Sequence, residues 1–327
     1  MKSKILVMFL VLGLVFSLAA KKAMAVTMDD NVFGNAALAY WQAQKADTNP
    51  AQSTYISIVN TNKTQDRYVK YILRDECSSY VLDDCHKLTG GDVMHLKIHV
   101  EDGQVAVTDL ELLPPSTVIT TLTAGDDEAR GYIEFTMWEG KGCTGANPNE
   151  MAVTTALVRG DNKGVGINAA MVQDWVDKDD DYKIDAAELP KNSIWWGRWY
   201  SDADTDLQGW LITVFPGLEK DPCESYILKG NSLDEKEDAR SFYLKVKEVA
   251  KTPIGPGFGP SFIVVPPGAT RGAIEIQNDL YPMFGFILMD DCKRVGAFPL
   301  FHNRLSTTGC PGNPVPIPFD RWGDFLK

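Results

Sequence analysis

Residues 177–188 read Asp-Lys-Asp-Asp-Asp-Tyr-Lys-Ile-Asp-Ala-Ala-Glu, placing carboxylates at positions 1, 3, 5, 9 and 12 of a twelve-residue segment. Acids this close repel one another unless a cation lies among them, and a hard divalent ion such as Ca2+ takes about six to eight oxygen ligands. The chemistry on offer is therefore the coordination of a hard cation. Motifs for covalent catalysis are missing: the chain has no Gly-x-Ser-x-Gly elbow, no His-Glu-x-x-His pair and no phosphate-binding loop ending in Gly-Lys-Ser/Thr. With 44 acidic residues, carboxylate pairs suited to glycoside hydrolysis are too numerous to single any out. No catalytic residue and no organic cofactor are expected.

The segment resembles an EF-hand calcium loop. Carried over position by position, the resemblance implies that Asp177, Asp179, Asp181 and Glu188 bind the ion directly. Lys183 would add its backbone carbonyl, and Asp185 would act through a water. Ile184, at position 8, would make the apolar contact beneath the loop. The sixth position of the family is a glycine with positive φ, whereas this chain has Tyr182, for which that conformation is costly. A lone loop of this kind implies a structural clamp rather than a sensor, because sensors use paired hands. The expected ligand is calcium.

Other constellations point to structure. His95 and His99 share a strand face with Lys97 between them, which suits a solvent face better than a metal site. Trp195, Trp196, Trp199 and Tyr200 form a dense aromatic patch, read as packing, with sugar stacking as the alternative. Six cysteines, at 77, 85, 143, 223, 292 and 310, suit disulfides in an oxidising compartment. Three fall in each half, so complete pairing needs a bridge between halves. Cys77 with Cys85 is the first local expectation and Cys292 with Cys310 the second.

These residues need elements to position them, and the sequence offers strands. Local phrases recur in the same order: Tyr55-Ile56-Ser57-Ile58-Val59 as Trp210-Leu211-Ile212-Thr213-Val214, Tyr71-Ile72-Leu73-Arg74 as Tyr226-Ile227-Leu228-Lys229, and Arg130-Gly131-Tyr132-Ile133-Glu134 as Arg271-Gly272-Ala273-Ile274-Glu275. Ala46-Asp47-Thr48 and Leu113-Pro114-Pro115 recur as Ala203-Asp204-Thr205 and Val265-Pro266-Pro267. Alternating segments at 94–100, 104–110, 117–123, 130–138, 152–159, 242–249, 261–265, 271–277 and 283–289 predict short strands between turn residues. The fold expected is mainly β: two tandem immunoglobulin-like β-sandwich domains, at 26–190 and 195–327, from an internal duplication. A short helix over 168–176 would lead into the acidic loop near the junction. The Pro-rich 310–318 reads as an extended strap.

Residues 1–25 read as a signal peptide: a basic start, an apolar run over 5–20 and Ala23-Met24-Ala25 before the expected cleavage. The expected location is secreted, periplasmic or at the cell surface, with no membrane span after cleavage. The net charge of −12 excludes nucleic acid and anionic membranes as natural partners, since no run of Lys/Arg offsets it. The strand phrases with the Pro-Pro and Arg-Gly segments resemble uncharacterised exported bacterial β-sandwich proteins. Taken together, the chain is expected to be an exported calcium-binding structural or ligand-binding protein, with an extracellular protein or polysaccharide as possible partner. A carbohydrate-binding or carbohydrate-active protein, and a cell-surface or filament subunit, are the alternatives.

Overall fold

The computed structural model describes residues 27–29, 33–45, 51–110, 117–122, 127–160, 163–191, 194–200, 208–217, 223, 225–236, 238–255, 263–278, 280–290 and 295–302. Residues 1–25, Cys292, Cys310, the strap at 310–318 and the phrases at 46–48, 113–115 and 203–205 lie outside these. The chain is mainly β and antiparallel. In the first half the strands are β1 Thr27–Asp29, β2 Ala36–Gln44, β3 Gln52–Asn60, β4 Arg67–Asp75, β5 Tyr80–Leu88, β6 Val93–Glu101, β7 Gln104–Asp109, β8 Thr117–Thr121, β9 Glu128–Trp138, β10 Met151–Arg159, β11 Gly164–Asn168 and β12 Ala170–Gln173. In the second half they are β13 Ile194–Tyr200, β14 Gln208–Val214, β15 Tyr226–Asp234, β16 Ala239–Val246, β17 Val249–Gly255, β18 Ile263–Val264, β19 Arg271–Gln277, β20 Phe284–Asp290, β21 Val295–Pro299 and β22 Phe301–His302.

The alternation that marks these strands in sequence is the alternation of their burial. Along β3 and β6 buried residues such as Ile56, Ile58, Met94 and Leu96 interleave with half-exposed ones, because successive side chains point to opposite faces. β2 and most of β9 break this pattern and are buried on both faces. One face, with Ala37, Trp41, Ile133 and Phe135, joins a core lined also by β3, β4, β6 and β7. The other face, with Leu38, Tyr40 and Tyr132, shares a second core with Ile212 and Phe286 of β14 and β20. Tyr40 meets Phe286 edge-on, with ring centroids 5.4 Å apart. The two halves therefore stack as successive layers, and the two inner layers are apolar on both sides.

The first half forms one 12-stranded sheet, whose β2 and β3 halves meet at the Gln44–Gln52 pair, and the second half forms two five-stranded sheets. Strand order is the same in each half. β5-β4-β9-β2 corresponds to β16-β15-β19-β13, and β6-β3-β10-β11 corresponds to β17-β14-β20-β21. The match ends at the edge, where β7 runs antiparallel to β6 but β18 runs parallel to β17. Register carries the likeness to single residues: Trp41 faces Gly131 and Trp199 faces Gly272. A Cβ on Gly131 would lie 2.0 Å from the Arg74 carbonyl oxygen, and one on Gly272 1.8 Å from that of Leu233, so only glycine lets these strands close. Asp75 and Asp234 stand beside these glycines and bond the turn amides that follow them. Tyr71 therefore corresponds to Gly230 rather than to Tyr226, a correction to that repeated phrase.

Two further expectations fail. No helix occurs among the described residues, and the segment expected to be helical carries β12 instead. Met171 and Val172 pair with β1 on one side and β2 on the other, so tertiary pairing overrides a helical spacing that lacked length. Cys77 bonds Cys223 across the halves, and Cys85 bonds Cys143. Cys77 sits in the turn after β4 while Cys85 lies opposite Lys70 well along β5, too far apart along the hairpin to meet.

Candidate metal site

The acidic loop begins where β12 ends, and its entry is fixed by side chains of the first half. Asn35, just before β2, donates to the Trp175 carbonyl (2.7 Å) and accepts from the Trp175 amide (2.9 Å). Asn149 and Asp174 exchange a second pair of bonds, at 2.7 and 3.0 Å. Trp175 is thereby locked into the apolar layer against Trp138, with centroids 6.2 Å apart and planes near perpendicular.

From that anchor the loop brings its carboxylates together, from the buried Glu188 to the exposed Asp179. The oxygens of Asp177, Asp179 and Glu188 lie within 4.8 Å of one another, as do those of Asp179, Asp181 and Asp185. All five acidic positions assigned to ligands thus converge in two groups sharing Asp179. Glu188 is buried and receives the Lys178 amide on Oε1 (2.6 Å) and the Trp175 indole on Oε2 (2.9 Å). Asp177 Oδ2 accepts from the Tyr182 amide (2.8 Å), while Asp177 Oδ1 is buried with no hydrogen-bond partner. A buried carboxylate oxygen left so costs more than about 1–3 kcal/mol, and a cation within the ring would satisfy it. On that observation the residues present fit a hard divalent ion. Lys183 places its ammonium 3.0 Å from Asp181 and its amide 2.9 Å from the same carboxylate. Burial lifts the Asp181 carboxyl, but these two Lys183 bonds outweigh it and hold the group below its ordinary value.

Tyr182 adopts a positive φ, +65°. Its ring offsets that strain by packing on Trp138 (5.3 Å) with the Lys70 ammonium above it (5.4 Å). Ile184 is fully buried in the shared core.

Several residues that hold the loop carry no signal in the sequence. The Ile184 amide donates to Glu134 Oε2 (3.2 Å), while Glu134 Oε1 receives Arg74 Nε (2.5 Å). This ion pair is almost wholly buried, at 1% and 3% exposure. On the other side the Ala186 amide donates to the carbonyl of Gly217, which follows β14 of the second half (3.0 Å). Gly217 in turn donates to Tyr132 Oη (3.2 Å), and Tyr132 donates to Ser78 Oγ (3.1 Å). Burial, with Glu134 nearby, keeps the Tyr132 phenol far above its ordinary value and neutral. A Cβ on Gly217 would fall 2.3 Å from the Ala186 nitrogen, so the second half approaches the loop backbone to backbone. The loop is therefore bonded to both halves at once.

Of the aromatic patch, Tyr200 is exposed. Trp195 and Trp199 are buried, which removes them from any sugar-stacking surface. His95 and His99 are half-buried on β6, bonded to Ser57 (2.8 Å) and near Glu101 (3.5 Å), and belong to no metal-ligand group among the described residues. No helix among the described residues is long and apolar enough to cross a membrane. No protein-family model matches this sequence, and no curated protein matches it.

Proposed function

We propose that this chain is an exported calcium-binding protein whose ion, held by Asp177, Asp179, Asp181, the Lys183 carbonyl, Asp185 and Glu188, clamps the junction of two tandem immunoglobulin-like domains. One observation carries the reading: Asp177 Oδ1 is buried and unpartnered, on a residue whose carboxylate groups with those of Asp179 and Glu188 in a loop bonded to both halves. Bound there, calcium would supply charge neutralisation and fixed geometry rather than reaction chemistry. The matching strand orders support an internal duplication. Two disulfides, one of them joining the halves, support an oxidising, extracytoplasmic location. The role is structural or ligand-binding.

Calcium should raise the melting temperature of the chelator-treated protein. At a hundredfold excess over the dissociation constant, binding to the folded state alone adds about 2.7 kcal/mol. Equal melting curves with and without millimolar calcium would remove the reading.

A further inference from the structure

The acidic chain has no run of basic residues, but strand pairing gathers basic residues that the sequence separates. β16, β15, β19 and β13 form the outermost layer of the second half, and their inward side chains, among them Trp195, Trp199, Leu228, Leu244 and Ile274, fill its core. The outward positions carry Lys229, Lys245, Arg198 and Arg271, all exposed. Lys229 stands opposite the exposed Tyr243, and Lys245 opposite the exposed Ile227. Arg271 stands opposite Tyr200, with Arg198 two residues along the same strand. Tyr243 is 67% exposed, Ile227 52% and Tyr200 40%. Among the described residues none of the four cations has an ion-pair partner. The acid of this face, Glu275, is buried and bonded to Gln277.

Two clusters result, each a tyrosine with two cations. Four residues of strand rise and two strand spacings set Lys229 and Arg198 about 16 Å apart. An exposed aromatic beside exposed cations on a sheet face suits a ligand that offers rings to stack on and anionic groups to pair. A second copy of the chain does not fit, since a two-fold contact would set these cations against themselves. A single small anion would not use both clusters. We infer that the outer face of β16-β15-β19-β13 is a binding surface for an acidic polysaccharide, with Tyr243 and Tyr200 as stacking platforms and Lys229, Lys245, Arg198 and Arg271 pairing with its carboxylates. The site is separate from the acidic loop and stands or falls without it.

The test uses the full-length processed protein in chelator, so that no cation bridges the probe to the loop. Polygalacturonate is the anionic probe, dextran the neutral one, and oligothymidylate a polyanion without sugar-ring stacking through acidic sugars. Polygalacturonate should bind, dextran should not, and affinity should fall more than about tenfold between about 50 and about 200 mM salt. Lys229→Glu with Lys245→Glu, and separately Arg198→Glu with Arg271→Glu, should each weaken binding about tenfold or more, and Tyr243→Ala about tenfold. Lys63→Glu, an exposed charge on the first half, should leave it unchanged. All these side chains are exposed, so melting curves should coincide with the parent. The inference is overturned if polygalacturonate fails to bind, if dextran binds equally, or if the face variants behave like Lys63→Glu. Equal or tighter binding of oligothymidylate would also overturn the assignment to an acidic sugar chain.

Discussion

At the residue scale, Glu134 links the buried centre of the first half to the acidic loop. One carboxylate oxygen holds Arg74 and the other holds the Ile184 amide, both away from water. Removing one partner of a buried pair leaves the other charge uncompensated, at a cost of about 3–5 kcal/mol. Glu134→Ala should therefore lower stability by that amount in denaturant titrations and weaken calcium binding together with it. A variant within about 1 kcal/mol of the parent would contradict the role given to this residue. The convergence of the five carboxylates was legible in the sequence because they lie within twelve consecutive residues and their spacing is local. Glu134, Asn35 and Gly217 were not, because each reaches the loop from a distant strand or turn. Tyr182 shows a middle case: the sequence located the conformational cost, while the Trp138 and Lys70 contacts that offset it came only with the tertiary fold.

At the scale of elements, strands were legible wherever one face is buried, since period-two alternation survives there. The helix expected at 168–176 failed because four residues of strand between β1 and β2 gain more from pairing than an isolated turn of helix gains from spacing. Cysteine connectivity was invisible for the same reason of distance. Non-reducing digestion should yield peptides joining Cys77 to Cys223 and Cys85 to Cys143. A peptide joining Cys77 to Cys85 would contradict the register of the β4–β5 hairpin. In the chain-entropy view, closing the 146-residue separation between Cys77 and Cys223 stabilises the fold by about 5 kcal/mol. Next to that bridge, Glu76 bonds Lys247 and Arg130, and its carbonyl receives the Val249 amide, which ties the turn after β4 to β17. Burial raises the Glu76 carboxyl, but the Lys247 and Arg130 contacts outweigh it and leave the group below its ordinary 4.5. Its folded form thus binds protons less readily than its unfolded form. The stabilisation is present above about pH 4.5 and is lost as pH falls through the lower folded value. Glu76→Gln should flatten that part of the acid limb in stability measured against pH. An unchanged acid limb would mean that the seam is not held by this charge.

At the scale of the molecule, the two halves share a strand order, with Trp41 on Gly131 and Trp199 on Gly272 at matching places. The sequence phrases pointed to the matching strand orders but paired one phrase out of register, since β-branched and aromatic residues recur on many strands. They did not show that the halves share a core, because the apolar residues on both faces of β2, β9, β14 and β20 do not say which layer each face packs against. A shared apolar layer and a disulfide between halves predict one cooperative thermal transition for the whole chain, with equal calorimetric and van't Hoff enthalpies. Two resolved transitions would contradict the stacked arrangement.

The clamp at that junction is tested most directly by calorimetric titration of calcium into the chelator-treated full chain, with Glu188→Gln alongside. The clamp predicts one site per chain, with a dissociation constant between about a micromolar and a millimolar, lost in Glu188→Gln. No heat from the parent, or equal heat from the variant, would contradict it.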